Sequence, residues 1–216
     1  MLPDHTIPLL VLVNVKSGGQ QGMELLRSFR KLLNPHQAYD LMNGGPLPGL
    51  YVFRNIPYFK ILVCGGDGTV GWALSCLDNV GQDAQCFSPP MAIVTLGTGN
   101  DLAPVLRWGP GYSSGGGPLA PLLLLRDVID AESIKLDRWT VIFHPNEKEI
   151  DEKKRELDND TNAANTNEDT SQIYVMNNYF GLGIDADLCL DFHMAREENP
   201  DKFNSRLHNK RVYFMK

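Results

Sequence analysis

The sequence predicts an α/β fold in which a parallel sheet is covered by helices on both faces, and three observations carry that expectation. Short apolar runs of strand length alternate with amphipathic helical stretches along the first half of the chain, the pattern of repeated strand–helix–strand units. The runs are apolar throughout instead of alternating with polar residues, as strands buried on both faces must be. Three of them, residues 8–14, 59–64 and 92–96, end in small, polar turns, and ligands of such sheets bind outside the carboxyl ends of the strands.

Length and composition set the bounds. A chain of 216 residues with 43% hydrophobic content can bury one α/β core and part of a second domain. A formal net charge of −6 argues against a general nucleic-acid binder, which needs a basic face to displace counterions. Cys64, Cys76, Cys86 and Cys189 form no CxxC pair and lie in apolar or helical contexts, as reduced cytosolic thiols do. The longest apolar runs, such as 119–125, fall well short of a membrane span, and no signal-peptide pattern opens the chain; the expectation is a soluble protein able to touch a membrane surface.

The first apolar run halts at Val15-Lys16-Ser17-Gly18-Gly19. Leu25, Leu26, Phe29, Leu32 and Leu33 then form a helical stripe opposite Arg27, Arg30 and Lys31, ending before Asn34-Pro35. Residues 38–41 read as a short strand and 43–49 as a loop before a short helix around 50–53. The run 59–64 breaks into Gly65-Gly66-Asp67-Gly68-Thr69, after which Val70, Trp72, Ala73, Leu74 and Leu77 recur at helical spacing, so Gly68-Thr69 opens a helix. Strand 92–96 ends in Gly97-Thr98-Gly99-Asn100-Asp101, and a helix from Leu102 reaches Arg107-Trp108, with Pro104 tolerated in its first turn. A glycine-rich loop over 109–117, a short helix over 122–129 and a strand over 133–143 follow. Residues 145–172 lack apolar anchors, which predicts a disordered insertion or a solvated helix over 147–157. A strand over 173–180, the turn 181–187, a helix carrying Leu188, Phe192, Met194 and Ala195 as far as Pro200, and a basic tail complete the chain.

The turns carry the chemistry. No Gly-Lys-Ser/Thr is present, nor GxGxxG with a following ribose acid, so neither a Walker A loop nor a Rossmann fingerprint applies. Amides at Ser17, Gly18 and Gly19 and from Gly65 and Gly66 through Gly68 and Thr69 suit a nucleotide polyphosphate, with side-chain bonds from Asn14, Ser17 and Thr69. Glycines remove side chains where something approaches closely. Asp67 is the odd member, since a carboxylate beside phosphates holds a cation or takes a proton. A lone Gly-Asp-Gly is explained as well by a helix cap, but two companion turns on one sheet favour the functional role. For Asn100 and Asp101, shaping the site and capping a helix stand as equal readings; for Asp185 and Asp187 a helix N-cap weighs more.

Lys16-Ser17-Gly18-Gly19, Gly65-Gly66-Asp67-Gly68-Thr69, Gly97-Thr98-Gly99-Asn100-Asp101-Leu102-Ala103 and Arg107-Trp108-Gly109, in that order, resemble the catalytic domain of eukaryotic diacylglycerol kinases. Residues 29–35, Asn43-Gly44-Gly45-Pro46, Arg196-Glu197 and Phe203-Asn204-Ser205-Arg206 resemble the theta type most. The likeness spans 8–143 and resumes at 173; Val15 stands where the family usually has proline, which keeps the amides usable in a less rigid turn. The resemblance implies a three-layer parallel-sheet nucleotide-binding domain of the NAD kinase/diacylglycerol kinase type over 1–144. A polar insertion over 145–172 and the start of a mostly β accessory domain over 173–216, cut short, complete the implied organisation.

The implied reaction transfers the ATP γ-phosphoryl to the 3-hydroxyl of 1,2-diacylglycerol, giving phosphatidate, with Mg²⁺ on the nucleotide and no direct protein ligand assigned to the metal. Gly97, Thr98 and Gly99 join the nucleotide-binding turns. In related lipid kinases the equivalent of Asp67 is the base, whereas bacterial members use a carboxylate of the second domain, so base and indirect Mg²⁺ organiser both stay open. Asp185 and Asp187 resemble positions facing the lipid headgroup or metal; Arg206 and Lys210 reach nucleotide phosphates or keep the tail soluble. The enzyme implied is cytoplasmic, recruited peripherally to membranes where it meets diacylglycerol, with no transmembrane segment and no nucleic-acid partner. A kinase for a sphingoid-type or other lipid alcohol, and a truncated non-catalytic nucleotide-binding chain, are the alternatives.

Overall fold

The computed structural model describes residues 6–18, 21–81, 88–96, 100–109, 111–112, 117, 119–144, 172–203 and 211–212. Strands β1 (Leu9–Val13), β2 (Ala38–Asp40), β3 (Lys60–Gly65) and β4 (Met91–Thr95) form one sheet in the order β2-β1-β3-β4, with every pair parallel. Strands β1, β3 and β4 are mostly apolar runs free of proline, and alternate residues face opposite ways. Leu10, Leu12, Ile61, Val63 and Ile93 pack beneath helices α2 (Leu47–Phe53), α3 (Asp67–Gly81) and α4 (Leu102–Val105). Val11, Val13, Leu62, Cys64, Ala92 and Val94 pack against α1 (Gln21–Leu32) and α5 (Ala120–Asp130) on the other face. The three-layer α/β expectation is met, and both faces being covered is why the strands read as continuous apolar runs.

Two local contacts fix the helices relative to the sheet edges. A Cβ added at Gly22, in the first turn of α1, would stand 2.5 Å from the Asn14 carbonyl oxygen and 2.8 Å from the Val15 Cα, so this helix sits directly on the chain leaving β1. At the other edge Lys60 Nζ donates to the Val128 carbonyl at 2.8 Å, tying the carboxyl end of α5 to the first residue of β3. Helix α5 therefore runs antiparallel to the strands, its amino end toward the edge where they terminate.

Several elements differ from expectation. Helix α2 begins at Leu47, earlier than around residue 50, because Pro48 fits its first turn. Helix α4 spans only Leu102–Val105 and does not reach Arg107-Trp108: Arg107 turns left-handed at φ 60°, and the Trp108 N–H bonds back to the Ala103 carbonyl at 2.8 Å. That reversal seats the Trp108 ring against both apolar clusters. The strand expected over 133–143 is β5 (Trp139–Phe143) alone, since only those residues find a partner, antiparallel β6 (Gln172–Met176). Pairing likewise sets the limits of β6, which includes Gln172 and stops before Asn177. The chain divides into two compact units, 1–135 with 180–216, and 136–179, which holds the β5–β6 ribbon.

Helix α6 (Ile184–Glu198) follows Gly183, which occupies the N-cap position at φ 73° without a side-chain cap bond. Asp185 and Asp187 are thus first-turn residues and not N-caps; their carboxylates complement the helix dipole there. The apolar stripe of this helix is present, but none of its residues is buried. Residues 145–171 and most of the basic tail lie outside the described residues.

Cys64 and Cys76 are buried and free, Cys189 is exposed and free, and Cys86 lies outside the described residues. Burial pushes the Cys64 thiol far above its ordinary 9.0, because the thiolate loses its hydration inside the sheet. The folded chain therefore keeps a proton that the unfolded chain releases, so its contribution is full below pH 9.0 and is lost as pH rises above it. Urea unfolding followed from neutral pH upward is expected to show stability falling above that point by about 1.4 kcal/mol per pH unit more in the wild type than in Cys64→Ala. Parallel pH profiles would contradict it.

Candidate active site

Adjacency and parallel direction place the ends of β1, β3 and β4 side by side on one edge. The strand order reverses direction between β1 and β3, with β2 on one side of β1 and β4 on the far side of β3. A crevice opens at such a switch point, where the helices following the two strands depart to opposite faces.

The turn after β1 is shaped by Asn14. Its N–H continues the sheet to the Cys64 carbonyl at 2.9 Å, its carbonyl accepts the Ser17 N–H at 3.0 Å, and its Oδ1 accepts the Lys16 N–H at 3.2 Å. Gly18 has φ 68°, and a Cβ there would collide with the Leu96 carbonyl oxygen, so only glycine lets this turn close on the chain leaving β4. Asn14 Nδ2 donates to Thr69 Oγ1 at 3.2 Å, which joins the first turn to the second.

In the second turn Gly65 ends β3 where a Cβ would meet Thr69 Oγ1 at 2.6 Å, so the threonine folds back over the strand end and is buried. Helix α3 begins at Asp67, one residue before the expected start, with the Gly66 carbonyl accepting from the N–H groups of Thr69 at 2.9 Å and Val70 at 3.2 Å. Among the described residues, only Asn100 Oδ1 comes near a Cβ placed at Gly66, at 3.0 Å, and nothing lies within 4 Å of one placed at Gly68. Among the described residues the start of this 15-residue helix thus borders open space at Gly68, the geometry and dipole sign that receive an anion.

Asp67 joins the second turn to the third. Its Oδ2 accepts the Asp101 N–H at 2.8 Å and the Leu102 N–H at 3.3 Å, while its own N–H donates to Asn100 Oδ1 at 3.3 Å. Asp67 does cap a helix, but that helix is α4, 34 residues away, and not its own. Asp101 stands at the N-cap of α4 without a side-chain cap bond, and the Asp67 carboxylate instead accepts the N–H groups of Asp101 and Leu102. Asn100 holds the start of α3 from outside.

The structure thus brings together Asn14, Ser17, Gly18, Gly65, Gly66, Asp67, Gly68, Thr69, Asn100 and Asp101. Gly19, Gly97, Thr98, Gly99, Arg206 and Lys210 lie outside the described residues. Asp185 and Asp187 are exposed on α6, with no bond to the three turns among the described residues. Sequence reasoning read 43–49 as a loop but did not place it as a fourth turn on the same edge. Leu41 N–H bonds to the Val13 carbonyl at 2.9 Å, and Gly45 at φ 72° lies against the Trp72 ring, where a Cβ would stand 2.6 Å from Cζ2. The paired glycines of Asn43-Gly44-Gly45-Pro46 after a strand were the available signal.

Comparison with known proteins gives two family matches, the diacylglycerol kinase catalytic domain over residues 8–133 and the diacylglycerol kinase accessory domain over 175–216. Diacylglycerol kinase theta of Homo sapiens is 54% identical over 212 residues, covering 98% of this chain and 21% of that protein. Diacylglycerol kinase zeta of Homo sapiens is 46% identical over 206 residues, 95% of this chain and 20% of that protein. The eye-specific diacylglycerol kinase of Drosophila melanogaster is 44% identical over 209 residues, 97% of this chain and 13% of that protein. The chain spans about a fifth of the length of the first of these relatives.

The clasp between the second and third turns has a direct readout. Asp67→Ala leaves the Asp101 and Leu102 amides without their acceptor, and a charge-assisted bond contributes about 1.5–3 kcal/mol. Hydrogen exchange at these two amides is expected to accelerate roughly tenfold or more while Val63 and Val94 stay protected; unchanged exchange at both amides would contradict the clasp.

Proposed function

The chain belongs to the diacylglycerol kinase catalytic-domain family, and on that premise we propose that it transfers the γ-phosphoryl group of ATP to the 3-hydroxyl of 1,2-diacylglycerol, giving phosphatidate and ADP. The observation that supports this reading is the row of glycine-bearing turns at the β1/β3/β4 edge with the Asp67 carboxylate clasped among them. We assign residues 1–144 to the catalytic domain, 145–172 to a polar insertion and 173–216 to the start of the accessory domain.

Phosphoryl transfer asks for positioning and charge neutralisation more than for covalent chemistry. Amides of Gly18, Gly19, Gly65, Gly66 and Gly68 hold the polyphosphate beside the hydroxyls of Ser17 and Thr69, whose own N–H groups are already given to the Asn14 and Gly66 carbonyls, and Gly97, Thr98 and Gly99 join them as nucleotide-binding residues. Asn14 acts mainly through Thr69, whose hydroxyl it orients. Asp67 takes the proton of the acceptor hydroxyl as its oxygen attacks the γ-phosphorus and ADP departs. Asn100 and Asp101 keep that carboxylate in place. Asp185 and Asp187 serve the acceptor or metal side, and Arg206 and Lys210 the nucleotide phosphates.

Mg²⁺ fits as the companion of the nucleotide. Among the described residues no three His, Cys, Asp or Glu side chains are grouped to hold a metal, and Mg²⁺ in kinase sites takes phosphate oxygens and water with few carboxylates. When bound it supplies neutralisation of phosphate charge, with Asp67 the carboxylate of the glycine turn available to organise it. No described helix is long and apolar enough to cross a membrane; we propose that the acceptor is reached at a membrane surface by peripheral recruitment from the cytoplasm.

Incubation with ATP, Mg²⁺ and mixed micelles of diacylglycerol is expected to yield phosphatidate. Asp67→Asn is expected to lower turnover by about 10²–10⁴-fold, the span of general-base catalysis, with the far-UV circular dichroism of the wild type retained. Turnover unchanged in Asp67→Asn removes the role given to this residue, and preference for a sphingoid base in a competition assay removes the acceptor.

A further inference from the structure

Arg107 is the one non-glycine residue with a positive φ, 60°, among the described residues. It closes α4 in a Schellman ending: Leu106 is the C-cap, and the Trp108 N–H reaches back to the Ala103 carbonyl at 2.8 Å. The residue after the C-cap in that motif is usually glycine, because an L side chain in the left-handed region crowds its own backbone. The chain carries that strain at an arginine. Trp108, packed against both apolar clusters, fixes the backbone on which this side chain stands.

Among the described residues nothing engages the guanidinium. Arg107 is exposed, and its side chain has no hydrogen bond or ion pair among the described residues. The chain on either side of it is anchored at the phosphate edge. The chain leaves that edge at Asp101, whose N–H lies on Asp67, and returns at Tyr112, whose N–H bonds to the carbonyl of Thr95, the last residue of β4, at 2.9 Å. Arg107 stands between these anchors, about 9 Å of helical rise beyond the first. The second and third turns present the carboxylates of Asp67 and Asp101, in a chain of net charge −6, and Lys16 lies at the end of β1. A phosphate brought to Asp67 meets anions from the protein unless a cation is set beside them.

We infer that Arg107 is a phosphate-binding residue of this edge, its planar guanidinium making the two-pronged contact that suits a terminal phosphate or a phosphomonoester. The inference rests on reading the edge as a phosphoryl-transfer site. In that reaction the phosphate has two sources, the end of the ATP chain and the headgroup of phosphatidate.

The test uses the 216-residue chain as wild type, Arg107→Gly, Arg107→Lys and, as a charge control, Arg126→Gln on α5. Each is titrated calorimetrically with ATP and ADP, and sedimented with phosphatidylcholine vesicles with and without phosphatidate. Arg107→Gly is expected to unfold at an equal temperature or about 2–4 °C higher, because glycine relieves the left-handed backbone. It is nevertheless expected to lose roughly tenfold or more of its affinity in one arm, with Arg107→Lys intermediate and Arg126→Gln like the wild type. Loss toward ATP but not ADP assigns the nucleotide end; loss confined to phosphatidate vesicles assigns the headgroup. Wild-type binding by Arg107→Gly in both arms overturns the proposal and leaves the kinase reading standing, whereas a wild type that binds neither ligand overturns both.

Discussion

The bond from the Asp67 carboxylate to the backbone N–H groups of Asp101 and Leu102 holds the candidate site in one piece. Neighbouring parallel strands fix where the turns after β3 and β4 begin, but not where they lead, because each turn has left the sheet's hydrogen-bond ladder. The carboxylate of Asp67 bonds two amides of the next turn, and the backbone N–H of the same residue donates in return to Asn100 Oδ1, which removes that freedom. The same side chain that orders the third turn is the acid of the glycine cradle. A substitution at Asp67 therefore acts through structure as well as chemistry, and exchange at the Asp101 and Leu102 amides separates the two.

The rest of the edge follows from burial. Leu10 to Val13 and Ile61 to Cys64 are fully buried between two helical layers, so β1 and β3 have no room to shift, and their turns inherit that rigidity. Glycine then decides how near the pieces come. Gly22 lets α1 rest on the chain leaving β1, and Gly65 lets Thr69 fold over β3, where Asn14 meets it. Where the backbone instead needs space, at Gly68, no described residue intrudes. Among the described residues, close contact on one side of the turns and space at Gly68 on the other is a shape suited to a polyphosphate held by amide groups.

The strands of the sheet were legible because their apolar runs report burial on both faces, and the three small-residue turns were legible because strand order follows from alternating elements. What sequence left hidden depended on contacts between distant residues. Nothing local at Asp67 indicates that it caps a helix beginning at Leu102, since that bond exists only once β3 and β4 are neighbours. The end of α4 was misplaced because Arg107 occupies a left-handed position normally marked by glycine. Residues 133–138 alternate well enough for a strand but find no partner, and alternation alone does not create one. Helix α6 was recognisable by spacing, yet its start at Gly183 in place of an Asp cap turns on a backbone angle that composition does not report.

The central claim is that the edge formed by β1, β3 and β4 receives the phosphates of a nucleotide through backbone amides. Two-dimensional amide NMR of the chain, with and without MgATP, tests this most directly. The account predicts that the largest perturbations fall on the amides of Ser17, Gly18, Gly66, Gly68 and Thr69. It is contradicted if those signals stay in place while ATP binds, or if the perturbed amides gather at another part of the molecule.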